Sequence, residues 1–176
     1  MVALITHDVV EHDAEGVTHT THWQERLTRD GDQCWIERVG ASTRPAASVH
    51  EIDLRIAARW YTRDGEQLVS VPDKTIIDVD HPDETYATAC ALVDVTGLSP
   101  TSGPAVTHAR WLGATNAREF VRVAWRSDLD LPAVIERGTW NGRVLAHTTI
   151  TPQRFVIAPW SSLVGFRHLD VSDLED

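Results

Sequence analysis

Cysteine is nearly absent: the 176 residues hold Cys34 and Cys90 and no other. No CxxC or CxxH spacing occurs, which leaves a structural zinc site without its usual ligand pattern. The two thiols allow one Cys34–Cys90 disulfide or two buried free cysteines, and sequence alone supplies no geometry to separate these. Positive charge is also scarce, with 16 basic residues against 26 acidic ones and a formal net charge of −10. Duplex DNA and anionic membrane surfaces reward the opposite sign, so nucleic acid is excluded as the expected partner. The opening "MVALITHDVVEHD" has no basic region followed by an apolar core of about 7 to 15 residues, so it is not a signal peptide. That places the chain in the cytoplasm, or in an exported compartment after removal of a leader. No apolar run approaches about 18 residues, so no membrane-spanning helix is expected. Asn-x-Ser/Thr sequons are missing, which leaves eukaryotic secretion unsupported.

Enzyme signatures are equally thin. No G-x-S-x-G elbow is present, and "PWSSLVG" lacks its glycines. Neither GxxxxGK[ST] nor GxGxxG occurs, so no nucleotide loop is indicated and no cofactor is expected. Asp78 with Asp80 and Asp128 with Asp130 are paired carboxylates, but all four lie near expected strand ends, where solvated carboxylates are routine.

What is present is a β rhythm. Segments rich in β-branched and aromatic residues alternate with Gly, Asp and Pro turns. Strands are expected at 6–12, 17–27, 33–39, 55–62, 68–71 and 75–79. Two "RDG" turns, at 29–31 and 63–65, close hairpins. "GASTRPAAS" (40–48) is a loop. A second block of strands is expected at 106–113, 118–127, 133–140 and 143–150, with Asn141-Gly142 as the strongest hairpin signal. Val156 begins a short closing stretch, and 159–166 reads as a helical turn or two. Between the blocks, "PDETYATACALVDV" (82–95) reads as the one main helix. Asp83 and Glu84 favour its N-terminus, Tyr86, Cys90 and Val93 fall at helical spacing, and Gly97 can end it. The expected fold is mainly β (α+β). It is one domain over 1–176, a large curved antiparallel sheet or open half-barrel of roughly ten strands with one main helix packed on it.

Nine histidines invite a metal reading, most of all His19 and His22 in "VTHTTHWQERL". On a helix a separation of three places two side chains together. On a strand it places them on opposite faces. His19 then shares the row of Val17, Trp23 and Leu27, and His22 the polar row. No metal site is expected from either.

Seven tryptophans are many for this length. They serve as core and also as cavity walls. Trp23, Trp60, Trp125 and Trp140 are the candidate ligand-binding residues, and core packing explains them equally well.

"VRVAWRSDLDLPAVIERGTWNGRVLAHTTIT" runs from a strand with Trp through an acidic Leu-Pro turn, a second strand, an Asn-Gly turn and a β-branched strand. Over about residues 120 to 150 it resembles the later hairpins of the LolA-like lipoprotein-carrier superfamily. The resemblance implies a curved sheet with helices on its concave side and the binding of acyl chains or lipoproteins there. It also implies a periplasmic location after signal removal. It carries over no binding residue. The chain lacks the helix that precedes the first strand in that superfamily.

The leading expectation is non-catalytic binding of a hydrophobic or amphipathic ligand, a lipid or lipidated protein, in the concavity. It requires a cavity of about 300 Å³ or more. One alternative is a structural or protein-interaction module with a filled interior. Another is an enzyme in which His and carboxylate groups from different strands converge. Oligomeric state is not legible.

Overall fold

The computed structural model describes residues 1–12, 15–40, 56–79, 86–116, 118–139, 143–154 and 157–170. Its strands are β1 (Val2–His12), β2 (Thr18–Asp30), β3 (Gln33–Val39), β4 (Ala58–Thr62), β5 (Gly65–Ser70) and β6 (Thr75–Val79). A short helix α1 (Tyr86–Ala91) follows. Then come β7 (Ser99–Pro100), β8 (Arg110–Thr115), β9 (Glu119–Arg126), β10 (Leu131–Thr139), β11 (Val144–Gln153) and β12 (Arg167–Asp170). All twelve belong to one open sheet in the order β12-β6-β5-β4-β3-β2-β1-β11-β10-β9-β8-β7.

That order is two meanders joined side by side. The first runs outward from β1 to β6, and the second runs inward from β7 to β11, which pairs with β1. Short turns build each meander because adjacent antiparallel strands need only a few residues between them. At the β2–β3 turn Asp30 faces Gln33, and Gly31 takes φ 55°, a region that glycine enters without a Cβ clash.

Three expectations need correction. Among the described residues the strands number twelve rather than roughly ten, since β7 has two residues and β12 four polar-rich ones, too short for a periodic signal. The sheet is mixed rather than antiparallel, because β12 runs parallel to β6 after a crossover from the middle of the sheet. The main helix expected at 82–95 is not there: α1 has six residues, and 82–85 lie outside the described chain. Leu92 enters the left-handed region at φ 67° and stops the helix. Beyond it the apolar side chains Val93, Val95 and Leu98 are spent on the sheet rather than on a helix face. Tertiary burial here overrides a weak local preference. The Asn141-Gly142 turn, Asp80 and Val156 also lie outside the described residues.

Alternation gives the sheet two apolar sides. On the front lie Ala3, Ile5, Leu27, Cys34, Tyr61, Leu112, Val123, Trp125, Ile135 and Ile150, packed with Ala89 and Cys90. The chain from β6 to β7 must pass from one side of the sheet to the other, and residues 86–98 do so across this front. We call them the strap. Its α1 end lies against β3 and β4 and is tied down by a Cys34–Cys90 disulfide, with Cα atoms 5.8 Å apart. Both cysteines are buried, at 0% and 3% exposure.

On the back, the described residues that precede β12 cover the β3–β6 half. Trp160, Leu163 and Phe166 pack on Trp35, Trp60, Ala58, Val69 and Ile76. The Trp60 and Trp160 rings stack at 6.5 Å and 2°. Leu163→Ala removes the buried aliphatic centre of this patch and should cost roughly 3 kcal/mol in urea unfolding. A loss below about 1 kcal/mol would mean that this crossover is not part of the cooperative core.

Candidate functional site

Register places the front-face side chains in rows. One row holds Leu112, Val123, Ile135, Thr148, His7 and Trp23, contributed by β8, β9, β10, β11, β1 and β2. The next, toward the β8–β9 turn, holds Ala114, Val121, Arg137 and Ala146. These rows build two cavities. The first, of about 130 Å³, is lined by Ile5, His7, Glu25, Leu92, Ile135, Arg137, Ala146 and Thr148. Leu92 of the strap thus forms part of its wall. The second is an open cleft of about 460 Å³ that wraps the ends of β8 to β11, lined by Ala114, Val121 and Arg137 of the front row and by Thr115, Phe120 and Gly138 of the opposite face. Arg137 lines both.

The small cavity has a polar floor drawn from three strands. The His7 ring has Nδ1 3.1 Å from Thr148 Oγ1 and Nε2 3.0 Å from Glu25 Oε2. The ring stacks on Trp23 with centroids 4.5 Å apart and planes 11° from parallel. Three half-buried polar groups thus partner one another beside apolar Ile5, Ile135 and Leu92. Arg137 is outside this network. It is exposed, and no carboxylate among the described residues reaches it within ion-pair distance. Arg26, Arg59, Arg122 and Arg126 differ, each holding a carboxylate (Glu37, Glu66, Glu136 and Asp128).

The back of the sheet carries a second polar row. Arg122, Glu136, His147, Asp8 and His22 follow one another across β9, β10, β11, β1 and β2. Arg122 binds Glu136 through two guanidinium nitrogens, His147 approaches Glu136 at 3.4 Å, and His22 meets Asp8 at 2.8 Å. Glu136 is 8% exposed, so this pairing is what allows its burial. Close by, Arg122 stands 5.5 Å from the Trp111 and Phe120 ring centroids. A further cleft of about 270 Å³ beside it involves Thr101, Gly113, Phe120 and Arg122. The opposite charges of Arg122 and Glu136, facing each other across β9 and β10, stabilise that strand pair. Among the described residues, no three His, Cys, Asp or Glu side chains are placed to hold a metal ion.

Other paired groups are local. Asp128 is gripped by Arg126 at 2.6 and 3.1 Å beside the β9–β10 turn, and that hydrogen-bonded guanidinium holds its carboxyl below the usual carboxylate range. In the strap, the side chain and backbone of Thr96 do the same for Asp94 and fix a tight turn there. Asp78 takes a hydrogen bond from Gln67 at 2.6 Å.

The expected tryptophans do not share one surface. Trp125 is front-face core, buried among Leu112, Val123, Leu131 and Ile135. Trp23 is half-buried on the front, beside the small cavity through His7. Trp60 is on the back beneath Trp160. Trp140 lies outside the described residues. His19 and His22 do fall on opposite faces, as strand periodicity requires, and the histidine stacked on Trp23 is His7 from the neighbouring strand. No signal in the sequence joins His7, Glu25, Thr148 and Arg137. They meet only through pairing between strands far apart in the chain.

No family model matches the chain, and no curated protein matches its sequence. Solved structures do resemble it. One is an uncharacterized conserved protein from Thermus thermophilus, at 9% identity and TM-score 0.50 over 97% of this chain and 90% of that one. Another is the complex of MucA and MucB from Pseudomonas aeruginosa, at 13% identity and TM-score 0.46. That match covers 92% of this chain and 55% of the other, so the present chain spans about half its length. The Thermus structure shows a shared fold, in which the class of the protein is a large open β-sheet; at 9% identity it says nothing about activity.

Proposed function

We propose that the protein is a non-catalytic carrier or sensor that binds a hydrophobic or amphipathic ligand, a lipid or lipidated protein, on the front of its sheet. The observation that carries this is the 460 Å³ cleft sharing Arg137 with the 130 Å³ cavity beneath the strap. Ligand clefts run from about 300 to 1,000 Å³, which admits the larger space and not the smaller alone. An open sheet is also what the LolA-like resemblance implies, but the helices it implies on the concave side are reduced, among the described residues, to the six-residue α1. The Cys34–Cys90 bond supports an oxidising compartment such as the periplasm. Trp23, next to His7, is the tryptophan best placed to report on ligand; Trp125 and Trp60 serve packing.

Titration calorimetry with neutral alkyl maltosides of increasing chain length, kept below their micelle concentrations, tests the reading. Each buried methylene is worth about 0.8 kcal/mol, so affinity should rise about fourfold per added carbon until the cleft is filled. Absent binding, or affinity independent of chain length, would remove the proposal. The protein-interaction alternative draws on one observation. β7 pairs only with Leu112 and Gly113, leaving Ala114 and Thr115 of β8 on the sheet edge, where a partner strand can add.

A further inference from the structure

Resting on that reading, we infer that the ligand is an anionic amphiphile whose oxyanion head is held by Arg137, with its chain lying in the 460 Å³ cleft. Arg137 belongs to the front-face row Ala114–Val121–Arg137–Ala146, so its guanidinium has apolar neighbours on both sides along the row. Among the described residues it is the one arginine lining either of these two cavities. The other polar groups of the small cavity are already engaged. Glu25 is turned to His7 Nε2, and Thr148 to His7 Nδ1. Glu119 lines the cleft, yet neither it nor Glu25 comes within ion-pair distance of Arg137.

This matters in a chain with ten more acidic than basic residues (26 against 16). Carboxylates are plentiful, and on the neighbouring strand β9 Arg122 and Arg126 have captured them. A guanidinium presents a planar fork of donors that matches carboxylate or phosphate in two parallel hydrogen bonds. At the junction of an apolar cleft and a small cavity it selects a ligand with one negative head and one apolar tail. Carboxylate and phosphate heads share that chemistry.

The test is calorimetric binding of dodecanoate, dodecyl phosphate and the neutral dodecyl maltoside to the full chain, in wild type, Arg137→Gln and Arg137→Lys. The wild type should prefer the anions over the maltoside, and the preference should weaken as salt rises. Arg137→Gln should cut that preference roughly tenfold, the effect of losing a charge-assisted pair at a partly solvated site. Arg137→Lys should retain part of it as a point charge. Arg154→Gln, at an exposed arginine beyond the end of β11, should leave it intact. Either order of the two anions supports the inference, dodecanoate first naming a fatty-acid source and dodecyl phosphate first a phospholipid source. Equal binding of anions and maltoside, or an unchanged preference in Arg137→Gln, overturns the inference while the binding reading survives. If none of the three binds the wild type, both fall.

Discussion

Replacing both Cys34 and Cys90 with alanine should lower stability by about 4 kcal/mol. The bond closes a loop of 56 residues, and the chain-entropy account assigns about that much to a loop of this length. For a chain of this size the change corresponds to a fall in Tm of about 8 to 16 °C. The loop contains β4, β5, β6 and the start of the strap, so the bond joins the first meander to the chain that covers it. Both sulfurs are buried, so reductant should act slowly on the native protein and quickly once the strap opens. Urea unfolding of the double variant beside oxidised and reduced wild type measures this. A loss below about 1 kcal/mol, or reduction of the native protein as fast as a free disulfide, would show that the strap is not anchored as described.

Trp125→Ala should cost about 3 to 5 kcal/mol. Its ring is 9% exposed and contributes to the same cluster as Leu112, Val123, Leu131 and Ile135. The strap residues Val93, Val95 and Leu98 pack on the same cluster, so the cavity left behind would also loosen the cover over the front. A tryptophan serving only as a ligand wall would behave differently, with ligand affinity falling and stability nearly unchanged. Chemical denaturation and maltoside binding on the one variant separate these outcomes. We expect the stability loss, which makes Trp125 a core residue and leaves Trp23 as the reporter of the site.

Much of the sheet was legible in the chain. β3 and β6 begin and end at the residues that alternation and turn chemistry indicate, at 33–39 and 75–79. Glu119, Val121, Val123 and Trp125 form one row, and Val121, Val123 and Trp125 join the front cluster as a period of two demands. The same period separates His19 from His22. These are local properties, since a strand's faces and its turns are written in neighbouring residues.

The strap and the site were not legible, for a shared reason. The segment 82–95 carries helical spacing at Tyr86, Cys90 and Val93, and an isolated reading favours a helix of three to four turns. The folded chain stops it at Leu92, because reaching β7 means crossing the sheet, and the apolar side chains gain more by burial on the front than by continuing a helix. Likewise His7, Glu25, Thr148 and Arg137 carry no common motif. His7 and Thr148 are 141 residues apart and meet because β11 inserts beside β1. Sequence by itself determined that the protein is a sheet, where most of its strands lie and which side chains share a face. Tertiary structure alone decided which strands are neighbours, since pairing across long separations depends on burying two whole faces at once, and with it which residues surround a cavity.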